Sequence, residues 1–244
     1  MSRYRASFIH LLISATLVGT VFAVVFWVWY PKPAFEVASA FPIIGLLVGV
    51  DLILGPLLTL IVYKHGKPGL KFDLSVIVLI QVTALVYGAY TLHDEKPNYI
   101  VFSVDRLEFV AKKQIDQTVI RYDELRSKPF AELIRVFARS PEDPDEFQRF
   151  LDSVVFEGKP DLESRAEYWE PWAAGADVIR SQIKQPEDLE PASPREKAAV
   201  QKAIDRYADI NLGVLPIGGI ERDIGILMDQ DTLEILGVLH ANSW

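Results

Sequence analysis

The chain has 244 residues, of which 50% are hydrophobic, and its formal net charge at pH 7 is −8. This apolar fraction is high for a soluble protein, and the excess lies in the first 92 residues. Residues 97–244 carry 18 Lys and Arg against 28 Asp and Glu, so this part has a net charge of −10. Such a charge argues against nucleic acid as a partner, because phosphates attract cations. The chain has no cysteine, which excludes disulfides, thiolate catalysis and cysteine-ligated metal sites.

Three apolar runs, at about residues 8–30, 41–63 and 74–92, predict three transmembrane helices. The first two runs have 23 residues each. As helices they would extend about 34 Å, enough for a hydrocarbon core about 30 Å thick. A signal peptide is the alternative for the first run, since Ala38-Ser39-Ala40 resembles a cleavage site. That run is longer than a signal core, and the site lies too far beyond it. We therefore predict a transmembrane domain over residues 1–96, with Asp73 as the cap of the third span.

The distribution of Lys and Arg between the runs predicts the orientation of the chain. Cytoplasmic loops carry an excess of these residues. The prediction is therefore a cytoplasmic N-terminus and second loop, with everything after residue 92 on the far side, which in a bacterium is the periplasm. The first loop has only Lys32, whereas the N-terminus and second loop have Arg3, Arg5, Lys64, Lys67 and Lys71.

Asp51, near the middle of the second run, is the sharpest functional signal in the sequence. An unpaired carboxylate at that depth costs about 2.5–3.5 kcal/mol on insertion scales, and ionisable residues in spans mark functional sites. One interpretation is a contact with a partner inside the membrane. The other is an internal hydrogen bond to Gln81 or Thr83 of the third span, and the two are compatible.

Small residues surround Asp51 in the second run, where Gly45 and Gly49 form a Gly-xxx-Gly pair and Gly55-Pro56 follows within a turn. This spacing lets another helix approach closely. The approaching helix belongs either to a partner or to this protein's own spans. The predicted contacts of a partner helix are Gly45, Gly49, Asp51, Gly55, Pro56 and Gln81.

Residues 97–244 predict a small α+β domain with antiparallel strands and hairpins. The capping boxes beginning at Asp143 and Ser193 predict helices that end near Val155 and Ala208. The segment 158–185 is predicted to be packed and partly helical. Other predicted elements are strands at 99–104 and 107–110 joined by a turn at Asp105-Arg106, a short strand at 117–122, a helix at 128–138, and strands at 212–217, 223–228 and 234–240, the last two joined by a turn at 229–232.

No cofactor, metal or catalytic site is predicted. No two of the four histidines have the spacing of a helical metal site, and Asp229-x-Asp231 lacks the glycine and terminal Glu of a calcium loop. Trp169 and Trp172 are predicted as core residues rather than a ligand platform. The segment 221–223, Glu-Arg-Asp, is predicted as a solvated strand start, with a binding patch as the alternative.

Three stretches of the sequence resemble the TfpX/TfpZ-type accessory proteins of type IV pilins. They are residues 49–62 with Asp51 and Gly55-Pro56, residues 69–75, and the closing stretch with Leu215-Pro216 and Trp244. The resemblance covers the three spans closely, the hairpin around residues 104–106 fairly and the last thirty residues in outline. Where family members often carry a basic residue, this chain has Ile217-Gly218-Gly219.

The resemblance implies a non-enzymatic inner-membrane protein, an accessory or chaperone that helps type IV pilin to assemble into the pilus fibre. Its partners would be the apolar N-terminal helix and the periplasmic head of the pilin, together with the lipid bilayer. A hypothesis from another class is a small membrane transporter or proton relay in which Asp51, Gln81 and Tyr87 line a path.

Overall fold

The computed structural model describes residues 2–30, 34, 41–127, 133–218 and 224–243. The chain divides into two compact units. One comprises Met1–Pro31 with Ala38–Lys96, and the other comprises Lys32–Val37 with Pro97–Trp244. The first is called the helical unit below and the second the α+β unit.

Three helices in the described part of the helical unit are long and apolar enough to cross a membrane, which confirms the prediction of three transmembrane helices. Span 1 is Arg3–Trp29, span 2 is Pro42–Val62 and span 3 is Leu70–Asp94. Span 1 consists of α1 (Arg3–Val24) and a π-helical end (Val25–Trp29), span 2 of α2 (Phe41–Val48), a π-helical segment (Gly49–Leu54) and α3 (Gly55–Val62), and span 3 of α4 (Leu70–Asp94).

The π-helical segment of span 2 comes directly before Pro56. Proline has no amide hydrogen, and its ring collides with the carbonyl four residues earlier in an α-helix. A widened turn gives the ring room, and the amide of Gly55 here donates to the carbonyl of Val50, five residues back. Asp51 therefore lies in the widened turn.

The prediction that Asp73 caps span 3 is wrong. The helix begins at Leu70, and its N-cap is Gly69, which has a φ of 81° that glycine adopts without strain. Asp73 lies in the first turn, where its carboxylate accepts a hydrogen bond of 2.6 Å from Lys67 Nζ.

The described part of the helical unit buries several polar residues and exposes many large apolar ones. Its buried polar residues are Ser14, Asp51, Thr59 and Gln81. Large apolar side chains on all three spans are exposed, which would be costly in water but suits contact with lipid tails. This polarity, together with the lengths of the spans, identifies a membrane protein.

In the described part of the α+β unit, two sheets and three α-helices are present, in agreement with the predicted class. The first sheet has the order β2-β1-β3-β4 and the second β5-β6-β7. Neighbouring strands are antiparallel except for the pair β1 and β3. The elements are β1 (Pro97–Ser103), β2 (Arg106–Ala111), β3 (Ile134–Ala138), α5 (Pro144–Val155), β4 (Trp169–Pro171), α6 (Ala176–Gln182), α7 (Pro194–Arg206), β5 (Leu212–Pro216), β6 (Gly225–Asp229) and β7 (Ile235–Leu239).

Both predicted capping boxes begin helices. Asp143 Oδ1 accepts a hydrogen bond from the amide of Glu146 at the start of α5, and Ser193 Oγ accepts one from the amide of Glu196 at the start of α7. Because the capping residue is visible in the sequence, the starts of these helices are predicted closely, and their ends fall within two residues of the prediction.

Two predicted elements of the α+β unit are wrong. The segment 117–122 is not a strand: Gln117–Val119 forms a 3-10 turn capped by Asp116, whose carboxylate accepts from the amide of Thr118. The helix predicted at 128–138 is strand β3 from Ile134 onward, and residues 128–132 lie outside the described part of the chain. Pairing with β1 on one side and β4 on the other overrides the helical spacing.

Strand β1 is buried on both faces and separates two hydrophobic clusters. Tyr99 and Val101 pack with Trp169 in the first cluster, and Ile100 and Phe102 pack in the second. Alternate side chains of a strand point to opposite faces, so β1 lies between the two clusters and contributes side chains to both. Helix α7 covers a third cluster on the second sheet.

The turn between β1 and β2 lies at Val104-Asp105, one residue before its predicted place, and Val104 has a φ of 60°. A β-branched residue is strained there, and a hairpin turn with positive φ at its first position favours glycine. We expect Val104→Gly to raise the free energy of unfolding by about 1 kcal/mol. Thermal unfolding of the full-length protein in detergent measures this change.

Val104→Ala is the control for that prediction, because Val104 is 64% exposed and alanine removes its methyl groups while keeping Cβ. An equal gain in stability from Val104→Ala would contradict the explanation by backbone strain.

Candidate functional site

A hydrogen-bonded chain of buried and half-buried side chains joins the three spans. Gln81 Nε2 of span 3 donates to Asp51 Oδ1 at 3.1 Å and lies 3.3 Å from the backbone oxygen of Asp51. Gln81 Oε1 lies 2.6 Å from His10 Nε2 of span 1, and His10 Nδ1 lies 2.5 Å from Thr59 Oγ1 of span 2. Of the two internal partners predicted for Asp51, the structure has Gln81, while Thr83 is exposed.

The bonding pattern fixes the roles of the two ring nitrogens of His10. A carboxamide oxygen only accepts, so His10 Nε2 carries the hydrogen that binds Gln81 Oε1. In the neutral ring His10 Nδ1 is then an acceptor, and the hydroxyl of Thr59 donates to it. The assignment follows from this network of partners.

One carboxylate oxygen of Asp51 accepts no hydrogen bond from any described residue. Its side chain is buried, with 3% exposure, and Oδ2 has no hydrogen-bond partner in the described part of the chain. A buried carboxylate oxygen without a donor costs free energy, because water's hydrogen bonds are lost without replacement. A donor brought by another molecule would remove that cost.

Asp51 also lines a groove of about 250 Å³ between spans 1 and 3. The groove runs along the first half of span 1, past Ile9 and Ile13, and along span 3 past Val78 and Leu85. His10, Thr59 and Gln81 share its lining. The helical unit thus presents an apolar groove whose few polar groups converge on one place, the usual composition of a binding site.

The six predicted contact residues do not share one surface. Gly55 and Pro56 are buried with Asp51 and Gln81, and a Cβ at Gly55 would overlap the carboxamide of Gln81. A Cβ at Gly45 or Gly49 would meet no atom within 4 Å, so those two glycines leave open space. The buried four thus take part in the packing of the unit itself, whereas Gly45 and Gly49 leave open space, and contact of all six with a partner helix stays a prediction.

His10, Thr59 and Ser7 belong to the site but were not predicted. His10 connects Thr59 to Gln81, and Ser7 Oγ donates to the carbonyl of Pro56 at 2.8 Å. The available signal for His10 and Thr59 was their polarity within apolar runs, since each run carries few polar side chains, whereas Ser7 directly precedes the first run. By contrast, Tyr87, which the relay hypothesis grouped with Asp51 and Gln81, is 71% exposed.

In the α+β unit, the described residues hold no group of three or more acidic or histidine side chains that could bind a metal ion. Trp169 lies in the core with 1% exposure, and its Nε1 donates to the carbonyl of Glu163. Trp172 packs beside the second cluster, and the guanidinium of Arg135 lies over its ring. The Glu-Arg-Asp segment at 221–223 lies outside the described residues.

Comparison with known proteins points to one family. Residues 1–38 match the sequence model of the fimbrial assembly protein FimB. "Fimbrial assembly protein, serogroups C1 and C2" of Dichelobacter nodosus is 35% identical over 114 residues, which are 46% of this chain and 86% of the relative. "Fimbrial assembly protein, serogroup I" of the same organism is 29% identical over 185 residues, 74% of this chain and 71% of the relative. No solved structure matches the chain.

Proposed function

We propose, from the premise that this chain belongs to the fimbrial assembly protein family, that it is a non-enzymatic accessory protein for type IV pilin. It assists the assembly of pilin into the pilus from within the bacterial inner membrane. The family supports the role in pilus assembly. The three spans support a location in a membrane, and the positive residues at the N-terminus and second loop support a periplasmic α+β unit.

The unpartnered oxygen of Asp51 is the observation that carries the proposed mechanism. A pilin subunit waiting in the membrane embeds an apolar helix, and the groove between spans 1 and 3 offers that helix an apolar wall on each side. Asp51 Oδ2 then accepts a hydrogen bond from a donor on the pilin. Because lipid tails offer no such donor, this bond distinguishes the pilin helix from lipid.

The Gly45–Gly49 pair takes a second, weaker role in this proposal. Its open surface allows close approach of another helix, but the described residues around it include no unpartnered polar group. The groove above Asp51 therefore provides the main contact and the Gly45–Gly49 surface an additional one.

Asp51→Asn tests the proposal without removing the internal bond. The asparagine oxygen can take the place of Oδ1 and accept from Gln81, while its NH₂ group takes the place of Oδ2. The free position thereby changes from acceptor to donor. We expect the variant to keep its thermal stability in detergent but to produce at least about tenfold fewer surface pili, the effect of losing about 1.4 kcal/mol or more.

Thr83→Val is the control for that test, because Thr83 is exposed and lies on the same span as Gln81. Electron microscopy of cells that carry the pilin gene counts the pili. Normal piliation with Asp51→Asn would contradict the proposed role of the carboxylate.

A further inference from the structure

A second groove, of about 430 Å³, lies in the α+β unit between the C-terminal half of α7 and strand β7. It is lined on one side by α7 and Tyr207 and on the other by the length of β7 with His240. Nothing in the proposed mechanism uses this groove, and none of the residues predicted as contacts lies in it.

Strand β7 is an outer strand of its sheet and pairs only with β6 in the described part of the chain. Four of its five residues are half-buried. An outer strand presents backbone donors and acceptors along its free side, which can pair with an extended segment of another chain. The hydroxyl of Tyr207 binds one such group, the carbonyl of Leu236, at 3.1 Å.

Gly237 leaves the middle of β7 without a side chain. A Cβ there would meet no atom nearer than Tyr207 Oη at 3.9 Å, so the glycine is not required by close packing within the unit. Glycine in a strand interior weakens the strand and often marks a place where another backbone approaches closely. Here the approach would come from the side of the groove.

The charge of the groove is opposite to that of the unit. Lys202 and Arg206 line it together with His240, and its described lining includes no acidic residue. Neither cation has an ion pair with a described residue, whereas Arg139, Arg165 and other arginines of this acidic unit pair with nearby carboxylates. The groove therefore favours an anionic occupant within a unit that otherwise repels one.

We infer that this groove binds an extended, acidic segment of a partner protein, which adds to β7 as a further strand. Main-chain bonds along β7 hold the segment, Gly237 admits its backbone, and Lys202 and Arg206 pair with its carboxylates. The inference is independent of the proposed function of the helical unit, because its experiment uses binding rather than piliation.

The probe is a fluorescent, end-blocked octapeptide of alternating valine and glutamate, added to the full-length protein in nanodiscs. Anisotropy measures binding, and hydrogen exchange measures protection of the amides of β7. We expect saturable binding and slower exchange in β7. An octapeptide of valine and lysine tests the charge, and one of glycine and glutamate, with low strand propensity, tests the extended form. Equal binding of either control peptide would overturn the inference.

Two kinds of variant locate the binding site. Gly237→Leu fills the groove, and the double variant Lys202→Glu, Arg206→Glu reverses its charge. Each should weaken binding of the valine–glutamate peptide by at least about tenfold. Lys197→Glu, on an exposed part of α7 outside the groove, should leave binding unchanged. Absence of saturable binding would overturn the inference. So would unchanged binding by a Gly237→Leu variant whose unfolding temperature equals that of the wild-type protein.

Discussion

Gly55→Ala should destabilise the helical unit and abolish piliation, although it adds only one methyl group. The new Cβ would lie 2.5 Å from Cδ and 2.7 Å from Oε1 of Gln81. Gln81 cannot simply move away, because its carboxamide binds both Asp51 and His10. Moving it breaks the chain of hydrogen bonds that joins the three spans and leaves Asp51 with no partner in that chain.

The expected loss is about 3 kcal/mol, combining overpacking of a close contact with the desolvation cost of unpaired buried groups. Thermal unfolding in detergent measures it, and counts of surface pili report the effect in cells. Gly45→Ala and Gly49→Ala are matched controls, since neither new Cβ meets an atom within 4 Å. Each of these two substitutions should leave the free energy of unfolding at its wild-type value or raise it by about 0.5–1 kcal/mol. A Gly55→Ala variant as stable as these two would show that Gln81 is not held as described.

Trp169→Ala should cost the α+β unit about 3–5 kcal/mol, the range for removing a large aromatic side chain from a core. Its ring lies 4.7 Å from that of Tyr99, between centroids, and has 1% exposure. The substitution leaves a cavity in the first hydrophobic cluster and removes the donor to the carbonyl of Glu163. Chemical unfolding of the full-length protein measures the loss of stability, with hydrogen exchange of the amides in β1 and β3 as the readout.

Trp172 supplies the comparison for that prediction. Its indole nitrogen is buried and has no hydrogen-bond partner among the described residues. Trp172→Phe removes a donor that is already unsatisfied, so it should change stability little, whereas Trp169→Phe should destabilise the unit by about 1–3 kcal/mol because a satisfied acceptor loses its donor. Equal effects of the two substitutions would contradict the assigned roles of the indole groups.

Features with a local signature in the sequence were predicted well. The apolar runs mark the three spans, and the capping residues Asp143 and Ser193 mark the starts of two helices. Strand β3 was not predicted, because its identity depends on pairing with β1, which is distant in the sequence. Its apolar residues also satisfy a helical spacing, so periodicity alone could not decide between helix and strand.

The internal partner of Asp51 was predictable from depth, although the remainder of the site was not. Asp51 lies 11 residues before the end of span 2 at Val62, and Gln81 lies 11 residues after the start of span 3 at Leu70. Antiparallel helices joined by a short turn therefore place the two at the same depth. The contribution of His10 depends on how span 1 packs against the other two, and a single sequence does not specify that packing.

The central claim is that the groove above Asp51 receives the helix of a pilin, and a photo-crosslinking scan in cells tests it most directly. A photoreactive residue is placed at Ile13 or Val78 in the groove, or at Leu46 beside Gly45 on span 2. We expect pilin crosslinks from Ile13 and Val78, weaker ones from Leu46, and loss of the groove crosslinks in the Asp51→Asn variant. Crosslinks from the groove only to this protein's own spans, in cells that make pilin, would contradict the claim.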